Sequence, residues 1–271
     1  MKLFGIMLVK DEADIVETVL RENKAFFDRI FVLDNGSTDG TWEIVQRLAS
    51  ETIVPWKQDF AEYSNSLRST VFEAFRHESE PGDWWCYKMD ADEIYAQNPR
   101  TFLSGVPRQY HTVFKRSIDY VITERDLHEH EFTGDFAVDR EFLRYFRPVA
   151  YTEPRFFRYR RRLKWPKHEN APRRMGIPYP EPITVKHFQW RSPGQIQKRL
   201  EIRHQVRRDG AAGQFRHIRQ TNWREVIEDD QHNVLDTDDL DYRTIPLRKT
   251  LKLPIAKYLV RRALHASQIF P

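Results

Sequence analysis

Asp90, Asp92 and Glu93 place three carboxylates within four positions, directly after the aromatic run Trp84-Trp85-Cys86-Tyr87. Like charges this close raise one another's pKa and oppose folding unless positive charge offsets them. The stretch therefore either faces open water or receives a cation. If a strand persists through Asp90-Ala91-Asp92, alternation turns both aspartates to one side, where they converge on one hard divalent ion that keeps open positions for phosphate oxygens. A second acidic stretch, LDNGSTDGT at positions 33 to 41, sets Asp34 at the end of an apolar run. Asn35 and Gly36 permit a left-handed turn there, and Ser37, Thr38 or Asp39 can cap a following helix. All of that is also what a purely structural strand-to-helix turn requires. Functionally, an acid so placed can accept hydrogen bonds from a nucleobase or ribose, and a helix N-terminus favours anions.

Two further stretches offer proton-transfer and anion-binding chemistry. In KWPKHENA, His168 and Glu169 follow a basic segment, and in ITVKHFQWRS, His187 and Arg191 follow a short apolar run. A carboxylate beside a basic surface can deprotonate an acceptor hydroxyl, and a histidine or arginine can hold a diphosphate. Isolated histidines are more often structural.

The elements that must position these residues alternate. KLFGIMLV is nearly continuous and apolar, as a strand buried on both faces would be, and helical spacing follows at Ile15, Val19, Leu20 and Phe26. The pattern recurs as IFVLDN then TWEIVQRLA, TIVPW then SLRSTVFEAFRH, and finally DWWCYKMD. Repeated strand and helix units predict a mostly parallel central sheet with flanking helices. Ligands of such sheets sit beyond the carboxyl ends of the strands, and Asp11, Asp34, Asp90 and Asp92 fall at those ends. After about residue 105 the alternation breaks. YHTVFKRSIDYVI and ITVKHFQW read as strands, and RFFRYRRRLKW reads as a half-exposed strand with arginines turned outward. SPGQIQKRLEIRHQVRR reads as a helix with Ser192 as N-cap and Pro193 at its first position. The domain reading is residues 1–210 as a catalytic domain, divided into a nucleotide-binding half at 1–105 and an acceptor-side half at 106–210, with 211–271 as a helical extension.

Charge divides along the chain. Residues 1–100 carry 11 Lys+Arg against 19 Asp+Glu, a net of −8, and the remainder carries 33 against 21, a net of +12. An acidic half that holds a metal and a basic half that meets phosphate suit a phosphate-bearing ligand. No apolar run approaches the ~20 residues of a spanning helix, and the apolar stretch at positions 4 to 9 is too short for a secretory signal. Cys86 is the lone cysteine, which fits a reducing, cytoplasmic setting. From position 246 to 268 basic and apolar residues mix, so the segment either packs on the domain or makes peripheral contact with the inner face of a membrane.

Taken together, MLVKDEADIVE (7 to 17), LDNGSTDGT, a helix carrying Arg68, and DWWCYKMDADEIY (83 to 95) resemble the family 2 glycosyltransferases of GT-A fold, among them small bacterial enzymes related to lipopolysaccharide core glucosyltransferases. RFFRYRRRLKWPKHENA and KHFQWRS match more faintly. The resemblance implies a nucleotide-diphosphate sugar donor, a saccharide or lipid-linked acceptor in polysaccharide biosynthesis, and a Mn²⁺ or Mg²⁺ cofactor. It places Asp11, Asp34, Asn35, Arg68, Asp90 and Arg191 at the nucleotide sugar, Asp92, Asp90 and His187 at the metal, and Glu169 as the base that takes the acceptor proton, with Asp135 or Asp139 in the same role as alternatives. One base acting opposite the leaving group inverts the anomeric configuration. Many relatives carry two acids where Asp34-Asn35 stands, and the Q-x-x-R-W pattern of processive synthases is absent. Two other activities compete. A phosphohydrolase would use Asp90 as nucleophile and Asp92 as acid, with Glu228, Asp229 and Asp230 as a later metal site. A basic polyanion binder would use RFFRYRRRLKW; the acidic first 100 residues oppose it, and no nucleic-acid partner is expected.

Overall fold

A computed structural model of the chain describes residues 1–208, 219–267 and 269, without the side chains of 206–208. Residues 211–218 of the expected extension lie outside the described residues. The chain divides into two compact units, one built from Met1–Ser117, Tyr151–Lys186 and Leu247–Pro271, the other from Ile118–Ala150 and His187–Pro246.

The first unit opens with the expected alternation: β1 (Leu3–Val9), α1 (Val16–Asn23), β2 (Arg29–Asp34), α2 (Thr41–Arg47), β3 (Ile53–Gln58), α3 (Leu67–Phe75) and β4 (Trp84–Met89). A short β5 (Glu93–Tyr95) and α4 (Pro99–Ser104) follow, and then β6 (Thr112–Val121), whose last four residues belong to the second unit. Strands β3, β2, β1 and β4 lie side by side and parallel. This order sets the carboxyl ends of β2, β1 and β4 next to one another, so Asp34, Asp11 and Asp90 share one edge of the sheet. Each of these strands is buried along nearly its whole length, as their uninterrupted apolar sequences require. Helix α3 covers one face: Val71 and Phe72 join Phe4, Phe31, Trp85 and Phe157 in a core where Phe72 meets Trp85 edge-on at 5.1 Å.

The sheet continues through two antiparallel strands, β8 beside β4 and the first part of β6 beside β8. Strand β8 is Tyr151–Arg158, which corrects the sequence reading of RFFRYRRRLKW: the strand stops at Arg158, is paired on both edges, and buries Arg155 together with Phe156 and Phe157. Its arginines therefore do not all face water. The last of them in the strand, Arg158, lies over the ring of Trp84 at 4.6 Å. The helix α8 (Ile255–Ala266) ends this unit, beginning directly after Pro254, whose fixed φ suits a helix start.

The second unit holds α5 (Glu124–Glu129), α6 (Phe136–Asp139), β7 (Tyr145–Phe146), α7 (Pro193–Arg208) and β10 (Val234–Leu235), while β9 (Ile183–His187) pairs with β5 and contributes its last residue here. Strand β7 pairs with the end of β6 and with β10. Tyr120 stacks on Phe188 at 4.5 Å and donates its hydroxyl to Asp236, closing a small core with Phe136 and Phe146. Ser192 Oγ accepts from Gln195 N–H at 3.2 Å at the start of α7, as expected of an N-cap. Between residues 219 and 254 the described elements are β10 and three short 3₁₀ turns.

Candidate active site

The loop after β2 is built locally. Asp34 Oδ1 accepts from the Ser37 N–H at 2.8 Å and from the Gln58 amide at 3.1 Å. Asn35 donates to the carbonyls of Asp59 and Ala61, at 2.9 and 2.8 Å, and so pins the loop that carries Phe60. Asp34 Oδ2 and Asn35 Oδ1 are buried without a hydrogen-bond partner, a costly state for an acceptor that no donor meets. Gly36 has φ +70, and a side chain there would meet the Phe60 ring at 2.8 Å, so the close approach of that ring demands glycine. The ring itself is 77% exposed. Asp11, at the end of β1, occupies the left-handed region with φ 52, and its Oδ1 accepts from the Thr38 N–H at 2.8 Å while its own N–H donates to Ser37 Oγ at 2.9 Å. The β1 and β2 turns are thus one hydrogen-bonded unit.

The turn after β4 is built differently. The strand ends at Met89, so Asp90 and Asp92 lie in a turn before β5 and are not paired by strand alternation. Asp92 and Glu93 are buried, whereas the Asp90 side chain is 31% exposed. Asp90 pairs with Arg68 at 2.8 Å and with Arg155 at 3.3 Å. Glu93 pairs with Lys115 and with Arg155. Glu153 joins from β8, paired with Lys88 at 2.9 Å, Lys115 at 3.0 Å and Arg155 at 3.0 Å. Arg155, 0% exposed, touches all three carboxylates. Most of the positive charge that the crowded acids require therefore comes from the chain itself. Sequence reasoning named Arg68 but missed Lys88, Lys115, Glu153 and Arg155.

The network fixes charge states. Burial pushes the Asp90 carboxyl up, but Arg155, then Arg68 and Lys115, outweigh it and hold the group below the usual carboxylate range. Burial likewise opposes ionisation of Glu153, and Lys115, Arg155 and Lys88 drive it well below that range. Lys115 and Arg155 are held above their ordinary values, because the facing carboxylates overcome both desolvation and, for Lys115, repulsion by Arg155. Burial of Cys86 raises its thiol to about 12, which makes it inert and structural.

Asp90, Glu93 and Glu153 offer carboxylate oxygens within 4.8 Å of one another, hard donors of the kind Mg²⁺ and Mn²⁺ prefer. Glu93 and Glu153 are matched by buried cations. Asp90 is paired with buried Arg68 and Arg155 as well, but at the exposed rim it is the member of the cluster that a metal can reach.

The remaining expected residues are dispersed. Glu169 ends a turn after Trp165, whose indole N–H donates to the Glu169 carbonyl at 2.7 Å, and its carboxylate accepts from Arg173 Nε at 2.7 Å. In the second unit, His187 Nδ1 lies 2.8 Å from Asp119 Oδ1. Arg191 is buried and donates to the Phe188 carbonyl at 3.0 Å. Asp139 accepts from the Thr133 N–H and hydroxyl and the Gly134 N–H, and pairs with His130 at 3.2 Å, while Asp135 caps α6. These bonds give both aspartates structural work. Glu228, the start of the later acidic run, pairs with Arg147 at 2.7 Å.

A parallel run of strands with acidic turns along its carboxyl edge defines an open-sheet α/β protein, whose ligands meet that edge. The family described as Glycosyl transferase family 2 matches residues 6–192, which takes in every one of these turns, and the chain belongs to that family. It is a family 2 glycosyltransferase of GT-A fold. No curated protein matches the chain. Among solved structures, that of S. aureus TarS residues 1–349 in complex with UDP matches at 16% identity with a TM-score of 0.33, over 46% of this chain. The match spans 37% of the length of that protein.

Proposed function

We propose that the chain transfers a sugar from a nucleoside-diphosphate donor to an acceptor hydroxyl on a surface glycan or lipid-linked saccharide, with inversion at the anomeric carbon. The observation that carries this reading is the shared edge formed by the Asp11, Asp34 and Asp90 turns on three adjacent parallel strands. Residues 1–105 supply the nucleotide side, and Glu169, in the same unit, the acceptor side. Asp34 Oδ2, buried and unpartnered, is the acceptor that a nucleobase N–H satisfies, and the exposed Phe60 ring stacks on that base. Asp11 and Asn35 hold this loop in shape. Arg68, aligned by Asn65 at 2.5 Å and Asp90 at 2.8 Å, orients the ribose and diphosphate side through Asp90.

Asp92 and Asp90 would hold a Mn²⁺ or Mg²⁺ ion, which would supply positive charge to the departing diphosphate. Glu169 takes the proton of the attacking hydroxyl as the sugar passes through an oxocarbenium-like state. Its hydrogen bond from Arg173 Nε holds the carboxylate in place. His187 and Arg191 belong to the second unit and stay outside this assignment. Peripheral contact with a membrane through residues 246–268 completes the reading, with the enzyme at the cytoplasmic face.

The proposal is tested by incubating the protein with a panel of nucleotide sugars, with and without Mn²⁺, in the presence of saccharide and lipid-linked acceptors. Release of a nucleoside diphosphate coupled to a product of inverted configuration supports it. Phosphate-ester turnover without any nucleotide sugar, or a product of retained configuration, overturns it.

A further inference from the structure

Helix α8 keeps Leu264 half-buried with its packed side but leaves most of its apolar side chains outward. Its inward side carries Tyr258, whose ring lies 6.2 Å from that of Tyr110, His265, 4.3 Å from His111, and Arg261, which donates to the Gly176 carbonyl. The outward side carries Ile255, Leu259 and Val260, exposed by 78%, 55% and 59%. Ala256, Ala263 and Ala266 are exposed with them. At about 100° per residue, Ile255, Leu259 and Ala263 form one stripe and Ala256 and Val260 the stripe beside it. Arg262 borders this apolar arc on one side and Lys257 on the other. An ordinary amphipathic helix buries that arc.

Charge specifies what covers it. Positions 246–267 contain Arg248, Lys249, Lys252, Lys257, Arg261 and Arg262 and no acidic residue. No helix among the described residues is long and apolar enough to cross a membrane, and α8, with 12 residues, is about 18 Å long against the ~30 Å hydrocarbon core of a bilayer. A short helix with an exposed apolar arc and a basic rim is suited to lie in the plane of an anionic lipid surface. A second copy of the chain fits poorly, because a two-fold contact sets this basic segment against itself. Nucleic acid engages the cations but leaves the apolar arc in water.

We propose that α8 is an interfacial anchor: Ile255, Leu259 and Val260 insert among the acyl chains of an anionic bilayer, and Arg248, Lys249, Lys252, Lys257 and Arg262 contact its phosphates. The anchor deepens the membrane contact stated above but does not depend on glycosyl transfer. Its test uses neither donor nor acceptor, so its failure leaves the catalytic reading standing.

The full chain is sedimented with phosphatidylcholine vesicles, with and without phosphatidylglycerol, across a salt series. The expected result is pelleting with the anionic vesicles only, weakening steeply with salt. The triple variant Ile255→Ser, Leu259→Ser, Val260→Ser is expected to lose at least ~10-fold in partitioning, and Lys257→Gln with Arg262→Gln to lose partitioning and flatten the salt dependence. Unfolding midpoints equal to that of the unsubstituted protein confirm that the variants, changed only at exposed positions, are folded. Wild-type protein that stays in the supernatant, or pellets equally with neutral vesicles, overturns the anchor even if a variant misfolds. So does a triple variant that partitions unchanged, wild-type binding to duplex or single-stranded nucleic acid in preference to vesicles, or a concentration-dependent dimer that the triple variant abolishes.

Discussion

The turns after β2 and β4 stand at the carboxyl ends of the two strands that flank β1, yet they satisfy their acids in opposite ways. Asp34 is held by an N–H three residues away and by a side chain of the neighbouring strand, and its second oxygen is buried with no donor. Asp90 and Glu93 are held by guanidinium and ammonium groups that arrive from 22 to 65 positions away, and they belong to a network of three carboxylates and four cations, Arg68, Lys88, Lys115 and Arg155. The first turn leaves a specific acceptor for a ligand to meet. The second spends most of its charge on holding the site together and exposes chiefly Asp90. Proximity of acids along a sequence thus says little about how much of their charge is available to a ligand.

The sharpest way to break this contrast is Arg155→Met. Removing the one cation shared by the three carboxylates leaves Asp90 to Arg68, Glu93 to Lys115 and Glu153 to Lys88 and Lys115, short of one buried positive charge, and a loss of roughly 3–5 kcal/mol in unfolding free energy is expected from denaturant titration. A loss below about 1 kcal/mol would mean that the network does not depend on Arg155. Glu169→Gln, which touches neither turn, is expected to preserve nucleotide binding and the unfolding midpoint while lowering turnover ~100-fold or more. Full activity in that variant moves the base elsewhere.

Acid separates the network from a histidine in the same unit. His111 Nδ1 accepts from the Ile177 N–H at 3.3 Å, and burial, then Arg160, His265 and Arg158, lower its pKa to about 3. Its folded pKa is depressed below the unfolded value near 6.5, so the unfolded chain binds the proton first as pH falls. The stability lost through this group begins below about pH 6.5 and amounts to about 2 kcal/mol at pH 5. Asp90 and Glu153 have depressed folded pKa values as well, so their contribution is fully present above the ordinary carboxylate range and disappears only at lower pH, as each titrates through its folded value. Unfolding measured from pH 8 to pH 3 is expected to show the His111 loss first, and His111→Gln to remove it without altering the more acidic limb. An unchanged profile in that variant would refute the assignment. The smallest effect is at the first turn: Asp34→Ala is expected to weaken nucleotide binding roughly 10-fold while leaving the Arg155 network and its acid limb intact. Equal affinity in both proteins would remove Asp34 from the site.

The same contrast explains what could be read from sequence. LDNGSTDGT announced its own turn because the glycine and Asp34, which accepts from the Ser37 N–H, act over a few residues, although Gly40, not one of the expected capping residues, takes the N-cap position of α2, and the apolar strands β1, β2 and β4 announced the parallel sheet by period alone. RFFRYRRRLKW misled because arginines between aromatics imitate a half-exposed strand. Arg155 is internal, and what makes it so is a set of acids more than 60 positions earlier, together with Glu153 two positions before it. The D-A-D spacing suggested strand alternation, but β4 stops at Met89, before the first of these residues. Glu169 was visible only as a carboxylate near basic residues, and its pairing with Arg173 depends on a left-handed His168 with φ 73 that no local pattern indicates.

The central claim is that the acidic edge of the parallel sheet binds a nucleoside diphosphate through a divalent ion held by Asp90 together with Asp92. Titration calorimetry of UDP and GDP into the protein and into Asp92→Ala, each with and without Mn²⁺, tests it most directly. The account predicts saturable binding of at least one diphosphate to the unsubstituted protein that requires Mn²⁺ and is lost in Asp92→Ala. Binding of equal strength in the variant, or none to either protein, would contradict it.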